Sequence, residues 1–318
     1  MCRRASNGPR ECPMARKSEG KFEGIFVALA TPMTAGQEVD YDNLRCLVNY
    51  MIDQGVHGII PLGSTGEYYA LSPAERQAVV SAAIDAAAGR VPVVVGTNAG
   101  ATRDVISYAR QAQELGAAGI LLAAPYYCLP TPDELVEHIR AVDRAIGVPI
   151  MLYNYPARTG VDMTPDVVER LAEMDNVRYI KESTGDASRM SEIIRRCGKR
   201  ISVFCGCDTL AIESFQMGAV GWVGGAVNLL PAQHVELFDL AVKRKDAKGA
   251  RECYDRMRPT LELLEGGGKY TQWVKAGCAI MGHPVGPPRQ PLLPASQADV
   301  ATLREALQSC AAGAGSGA

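Results

Sequence analysis

Residues 91–124 read VPVVVGTNAGATRDVISYARQAQELGAAGILLAA. The stretch opens on a short apolar run, 91–96, and closes on another, 119–124. Between them, 102–115 carries apolar residues at helical spacing. Each run is continuously apolar rather than alternating, which suits a strand buried on both faces of a parallel sheet. A strand, a helix and a second buried strand make one βαβ unit. The same grammar repeats in both directions. Further apolar runs lie at 25–30 (IFVALA), 57–62 (HGIIPL), 148–153 (VPIMLY), 177–181 (VRYIK), 201–205 (ISVFC) and 219–224 (AVGWVG). Helical patterns fill the gaps at 43–54, 73–88, 131–145, 164–174, 186–197 and 208–217. Their starts are punctuated by SPAE, TPDE and TPDV, where a Ser or Thr cap precedes a proline at the first helical position.

Eight strands in βα alternation over about 220 residues predict an α/β fold, a (β/α)8 TIM barrel. A doubly wound open sheet is the competing architecture. Against it, the first strand lacks the G-x-G-x-x-G turn and no crossover break interrupts the series. After residue 230 the strand signals stop. Helical patterns at 231–244, 246–264, 269–281 and 297–309 predict a C-terminal helical extension. The expected organisation is a flexible tail over 1–22, the barrel over 23–230, the extension over 231–309 and a small-residue tail over 310–318. Met14 offers an alternative start.

The chain has 318 residues, 47% of them hydrophobic and 21% charged, enough apolar material for a large core. Lys and Arg number 33 against 35 Asp and Glu, so the net charge is −2. That balance gives no support to nucleic-acid binding, which calls for a strongly basic domain. No apolar run reaches the ~18 residues of a transmembrane helix. Arg3-Arg4 is not followed by the apolar core of an export signal. Ten cysteines fall at irregular spacings without a C-x-x-C motif. Most lie inside apolar segments and read as reduced core residues, and the expected compartment is the cytoplasm. Cys205-Gly206-Cys207 is the one close pair.

In a TIM barrel, reactive groups belong at the C-terminal ends of the strands and in the loops that follow. Lys181 closes the apolar run VRYI at such an end. Burial disfavours its ammonium form, and a neutral lysine amine can attack a carbonyl to form a Schiff base. The structural alternative is an ion pair with Glu182 or another carboxylate. Lys275, in WVKAGCAIMG, reads as a helix-surface lysine. Ser64 and Thr65 lie between two glycines, in a turn that suits a small carboxylate or phosphate; equally, they could cap a tight βα turn. Tyr153 ends the fifth run and could relay a proton through Ser64. Arg158, in PARTG, could hold a second carboxylate through its bidentate fork. The four histidines show neither H-x-x-H nor HExxH spacing, so no metal site is expected. No G-x-S-x-G elbow occurs. Gly266-Gly267-Gly268-Lys269 follows a helix rather than a strand and reads as a helix stop, not a P-loop.

The segments GIIPLGSTGE (58–67), PYY (125–127), YNYPARTG (153–160) and IKESTGD (180–186) resemble, in order and spacing, the dihydrodipicolinate synthase / N-acetylneuraminate lyase family. The resemblance covers roughly residues 22–295. It implies a class I, Schiff-base-forming lyase, usually a homotetramer, working without metal or other cofactor. By that resemblance Lys181 forms the imine with pyruvate or another 2-oxo acid. Tyr153 shuttles protons, Ser64 belongs to the relay, and Tyr127 reaches into a neighbouring subunit's site. Thr65 belongs to the carboxylate pocket, Arg158 to the aldehyde's carboxylate, and Gly206 and Val223 to the site lining. The best substrate reading is condensation of pyruvate with L-aspartate 4-semialdehyde, as in 4-hydroxy-tetrahydrodipicolinate synthases. Three departures favour rivals. Ser64 replaces the synthases' usual threonine, Tyr155 is bulkier than expected, and Tyr68-Tyr69 replaces small residues. The rivals are a 2-oxo-3-deoxy sugar acid aldolase or dehydratase and a neuraminate lyase. A non-catalytic carboxylate-binding barrel is the reading from a different class, and Lys181, Tyr153 and Ser64 standing together argue against it. Tyr68, Tyr69, Pro73, Arg76 and Gly100 stand where the lysine-inhibited members bind lysine, so weak or absent lysine feedback is expected.

Overall fold

A computed structural model describes residues 21–311. Eight parallel strands make one sheet: β1 (Gly24–Ala28), β2 (Gly58–Ile60), β3 (Val94–Gly96), β4 (Gly119–Ala123), β5 (Ile150–Asn154), β6 (Val177–Glu182), β7 (Ser202–Cys205) and β8 (Gly221–Gly224). Their order is β2-β1-β8-β7-β6-β5-β4-β3. A parallel bridge between Ile59 and Val93 brings the two edges together, and Gly96 N–H donates to the Pro61 carbonyl at 3.0 Å. The sheet is therefore a closed (β/α)8 barrel, as the strand–helix alternation predicts.

The helices are α1 (Tyr41–Asp53), α2 (Pro73–Ala87), α3 (Thr102–Glu114), α4 (Pro132–Asp143), α5 (Pro156–Thr159), α6 (Pro165–Leu171), α7 (Ala187–Cys197), α8 (Ala211–Met217), α9 (Pro231–Phe238), α10 (Ala247–Gly266), α11 (Tyr270–Ile280) and α12 (Gln297–Ala311). The cap signals hold at α2 and α4. Ser72 and Thr131 each accept from the backbone of a glutamate three residues on, whose carboxylate returns the bond. At α6 the Thr164 side chain makes no such bond. α10 stops at Gly267, whose N–H returns to Leu263, as the glycine run predicts.

The barrel interior is aromatic toward the N-terminal end of the strands. Phe22 stacks on Tyr179 with centroids 4.6 Å apart, and Phe26 meets Phe204 edge-on at 5.4 Å. Gly58 and Gly221 make room for the Phe26 and Phe204 rings, since a Cβ at either would run into them. Phe22 is buried and its N–H donates to Tyr179 Oη at 3.0 Å. The N-terminal tail drawn to residue 22 thus ends too late: an apolar ring at the barrel mouth is worth burying even beside a polar segment. The rest of that tail, 1–20, with Met14 and Arg3-Arg4, lies outside the described residues. At the other end α12 runs to Ala311 with Cys310 buried, and 312–318 lie outside the described residues. α9 packs beside β1 as the helix of the eighth βα unit, so it completes the barrel rather than extending it.

Candidate active site

Strand pleating fixes which side chains enter the barrel. On β5 and β6, Met151, Tyr153 and Tyr179 point inward, and Lys181 follows Tyr179 by two residues. Tyr153 and Lys181 are direct register partners. The Lys181 ammonium lies 4.3 Å from the Tyr153 ring centroid. Lys181 is 6% exposed and forms no ion pair among the described residues. Glu182 faces the opposite way, holding Asn154 Nδ2 at 3.1 Å and Thr184 N–H at 2.7 Å. The structural alternative of a Lys181–Glu182 pair is excluded by that alternation. Burial lowers the Lys181 pKa, opposed chiefly by the Asp208 carboxylate.

Gly206, after β7, lies against this lysine. A Cβ there would stand 2.8 Å from both Lys181 Cγ and the Glu182 carbonyl, and would overlap the Ser183 hydroxyl. Tyr153 is buried, which raises its pKa, and the Ser64 hydroxyl bonded to it pulls the other way. Ser64 and Thr65 sit in a tight turn after β2. Gly66 N–H donates to Gly63 O at 3.0 Å and Glu67 N–H to Ser64 O at 3.1 Å. Thr65 is buried.

These groups line a cavity of about 540 Å3 at the C-terminal end of the barrel. Ser64, Thr65, Tyr153, Arg158, Lys181, Gly206 and Val223 all lie on its wall. Tyr127 does not: it is 97% exposed, with φ +70°, and Tyr126 faces the cavity instead. Tyr155 stacks on Tyr153 at 5.9 Å and narrows the mouth near Arg158.

Several wall residues escaped sequence reasoning. Glu265 at the end of α10 accepts from the backbone N–H of Asp208 at 2.5 Å and of Thr209 at 3.1 Å. Tyr270 at the start of α11 takes N–H bonds from Gly225 and Ala226 and donates its own hydroxyl to Asp208. Asp208 is fully enclosed, also accepts from Trp222 Nε1 at 3.0 Å, and burial, with the Glu265 charge, pushes its pKa up to about 7. The position of Asp208 after the seventh run was a signal, but it reads equally as a helix cap. Glu265 and Tyr270 are some sixty residues on, without local pattern. Ser183 and Asn98 also line the cavity, while Ser183 Oγ and Asn98 Nδ2 themselves are sealed from solvent without a hydrogen-bond partner.

Lys275 corrects an expectation. It is not a surface lysine: it is 3% exposed and lies 2.5 Å from Glu67 Oε1, with Nζ also donating to Pro287 O at 2.9 Å. Its helix face is covered by the loop after β2, which periodicity within α11 cannot reveal. Arg76 is likewise buried, stacked over Tyr108 at 3.8 Å. No described cysteine is paired in a disulfide, and Cys205 is sealed in the core, donating to the Cys207 carbonyl. Among the described residues, no group of three or more His, Cys, Asp or Glu stands together to hold a metal ion, and no helix is long and apolar enough to cross a membrane.

The sequence model of the Dihydrodipicolinate synthetase family matches residues 21–310. The chain belongs to that family. A 4-hydroxy-tetrahydrodipicolinate synthase from Halorhodospira halophila is 37% identical over 293 residues, 90% of this chain and 96% of that one. A crystal structure of the chloride-inhibited dihydrodipicolinate synthase of Acinetobacter baumannii, complexed with pyruvate, superposes with a TM-score of 0.87 at 34% identity, covering 92% of this chain and 99% of that one. A monomeric dihydrodipicolinate synthase variant gives the same score at 30% identity, covering 91% and 97%. As a family member the chain is a lyase of the class I aldolase type, built for dihydrodipicolinate-synthase-like pyruvate chemistry.

Proposed function

We propose that the chain condenses pyruvate, held as an imine on Lys181, with L-aspartate 4-semialdehyde. The observation that carries this reading is Lys181 itself: buried, without an ionic partner among the described residues, and in register with Tyr153. Desolvation leaves more of its amine neutral than in a surface lysine. The amine adds to the pyruvate carbonyl and water departs, with Tyr153 and Ser64 passing the protons. The protonated imine draws electrons from the adjacent methyl, which loses a proton to give an enamine. The enamine carbon adds to the aldehyde, and water then releases the product and frees Lys181. Thr65 and the turn around it hold the pyruvate carboxylate, while Gly206 and Val223 leave space beside the imine. Arg158, exposed at the cavity mouth, takes the carboxylate of the aldehyde. The chemistry uses no metal or other cofactor.

Tyr127 completes the relay in a neighbouring copy, which makes the working unit a homo-oligomer, a tetramer in this reading, in the cytoplasm. Where the lysine-inhibited synthases take lysine, Arg76 brings a buried cation, and this supports weak or absent lysine feedback.

A second reading has a specific observation behind it. Glu265, Thr209, Tyr270 and Thr271 give the cavity a polar wall beyond Lys181. Hydroxyls of a 2-oxo-3-deoxy sugar acid would find partners there, and the same imine would serve its cleavage or dehydration. Turnover of pyruvate with aspartate semialdehyde, followed through a coupled reductase, tests the first reading. Release of pyruvate from neuraminate or deoxy sugar acids, with silence in the reductase assay, would select the second. A non-catalytic barrel would form no imine with any 2-oxo acid.

A further inference from the structure

One residue beyond the Tyr153–Lys181 pair, Asn154 and Glu182 are also register partners. The pleat turns their side chains away from the barrel interior, and both residues are buried. The Asn154 carboxamide does more than meet Glu182. Its Oδ1 accepts from Met163 N–H at 3.0 Å. Its Nδ2 donates to Glu182 Oε2 at 3.1 Å, to Asp162 Oδ1 at 3.1 Å and to the Met163 carbonyl at 3.3 Å. Turned over, the carboxamide would set N–H against N–H and oxygen against two carboxylates, so the network fixes its orientation. Arg189 on α7 braces the same corner, its Nη1 2.6 and 2.7 Å from the two Asp162 oxygens.

Between Asn154 and Met163 the chain leaves β5, brings Tyr155 and Arg158 to the cavity wall, and turns back at Gly160, where φ is +71°. Among the described residues, the hydrogen bonds of 155–161 stay within that segment. Arg158 and Thr159 N–H return to the Tyr155 carbonyl, Gly160 N–H to that of Pro156, and the Thr159 hydroxyl to that of Val161. The platform under Arg158 is thus a closed loop. Its polar ties to the barrel are made at the neck, by Asn154 and by the Asp162–Arg189 pair. A buried network with its partners in place is rigid. An exposed arginine holds a carboxylate in a fixed place only where its backbone is held.

We infer that Asn154 is a positioning residue: it acts through Arg158 to set the subsite for the carboxylate of the second substrate. The inference rests on the reading above, in which Arg158 takes that carboxylate. Lys181, Ser64 and Thr65 stand on other elements, so the pyruvate half of the reaction can be measured apart from the aldehyde half.

Arg158→Ala, Asn154→Ala and the double variant are compared with the wild type, with pyruvate and L-aspartate 4-semialdehyde as substrates. Arg158→Ala tests the underlying reading by itself. A wild-type KM for the aldehyde in that variant would refute the reading and the inference with it. Where Arg158→Ala raises that constant, Asn154→Ala is expected to raise it too, by about tenfold or more, as misplacement of a positioning group does. The KM for pyruvate and the yield of borohydride-trapped imine should stay near the wild-type values. The two losses should not add: the double variant is expected to be no worse than Arg158→Ala, because both changes remove one contact. Thermal denaturation establishes which variants fold. If Asn154→Ala does not, Asn154→Ser carries the comparison, since it leaves a hydroxyl in place and still cuts the bridge to Met163. A folded Asn154 variant with the wild-type aldehyde constant overturns the inference. So does one that weakens pyruvate and aldehyde alike, or whose loss adds in full to that of Arg158→Ala, because a general loosening of the strand ends would do either.

Discussion

Lys181 and Gly206 form one unit at the residue scale. The lysine must swing through imine and enamine geometry in a space that a single methyl would fill. Gly206→Ala is expected to fold and to lose at least about 10-fold in kcat/KM, because misplacing a reacting group is expensive. Steady-state kinetics with pyruvate checks it, and unchanged kinetics would mean the lysine is not confined. Tyr153→Phe removes the relay hydroxyl but keeps the ring under Lys181. A fall in kcat of about 10²–10⁴-fold with the fold intact is expected for a lost acid–base group. Asp208 supplies a pH test. Its folded pKa, about 7, lies above the ordinary carboxylate value. Between pH 4 and 7 the folded state therefore holds a proton that the unfolded state has lost, and stability falls as pH rises through that window. Thermal midpoints of the wild type minus those of Asp208→Asn, taken across the window, should decline with pH. A flat difference would mean Asp208 is ionised throughout.

At the scale of elements, the strands were readable because their runs are buried on both faces, and the helices because SPAE and TPDE announce their starts. The Lys181–Tyr153 pair was readable for the same reason: both end apolar runs, so barrel geometry alone sends them to one place. What was hidden is held by contacts between distant segments. Glu265 and Tyr270 come from α10 and α11, and nothing within those helices marks them as cavity wall. Asn98 carries no local signal either, and its side-chain oxygen meets Ala123 N–H only once β4 is beside it. Lys275 and Glu67 are the clearest case, 208 positions apart and both sealed from solvent. Together they tie α11 to the turn that carries Ser64 and Thr65. Lys275→Met strands a buried carboxylate and is expected to cost about 3–5 kcal/mol in denaturant unfolding. The double variant Glu67→Gln/Lys275→Met should recover part of that loss. Equal stability of Lys275→Met and wild type would show that the pair contributes no structural tie.

For the whole molecule, a single chain leaves Tyr127 in solvent in a left-handed conformation, with Leu129 57% and Tyr69 49% exposed nearby. A second copy over this surface would cover the aromatic group and bring Tyr127 to the relay. Light scattering at assay concentration is expected to give an oligomer, and Tyr127→Ala to lower kcat. A monomer with full turnover would remove Tyr127 from the mechanism. The central claim concerns one covalent bond, and it can be observed directly. The protein is incubated with pyruvate, reduced with borohydride, digested and analysed by mass spectrometry. The account predicts one reduced pyruvate adduct, on Lys181, and none in Lys181→Ala. No adduct, or an adduct on Lys275 or a surface lysine instead, would contradict it.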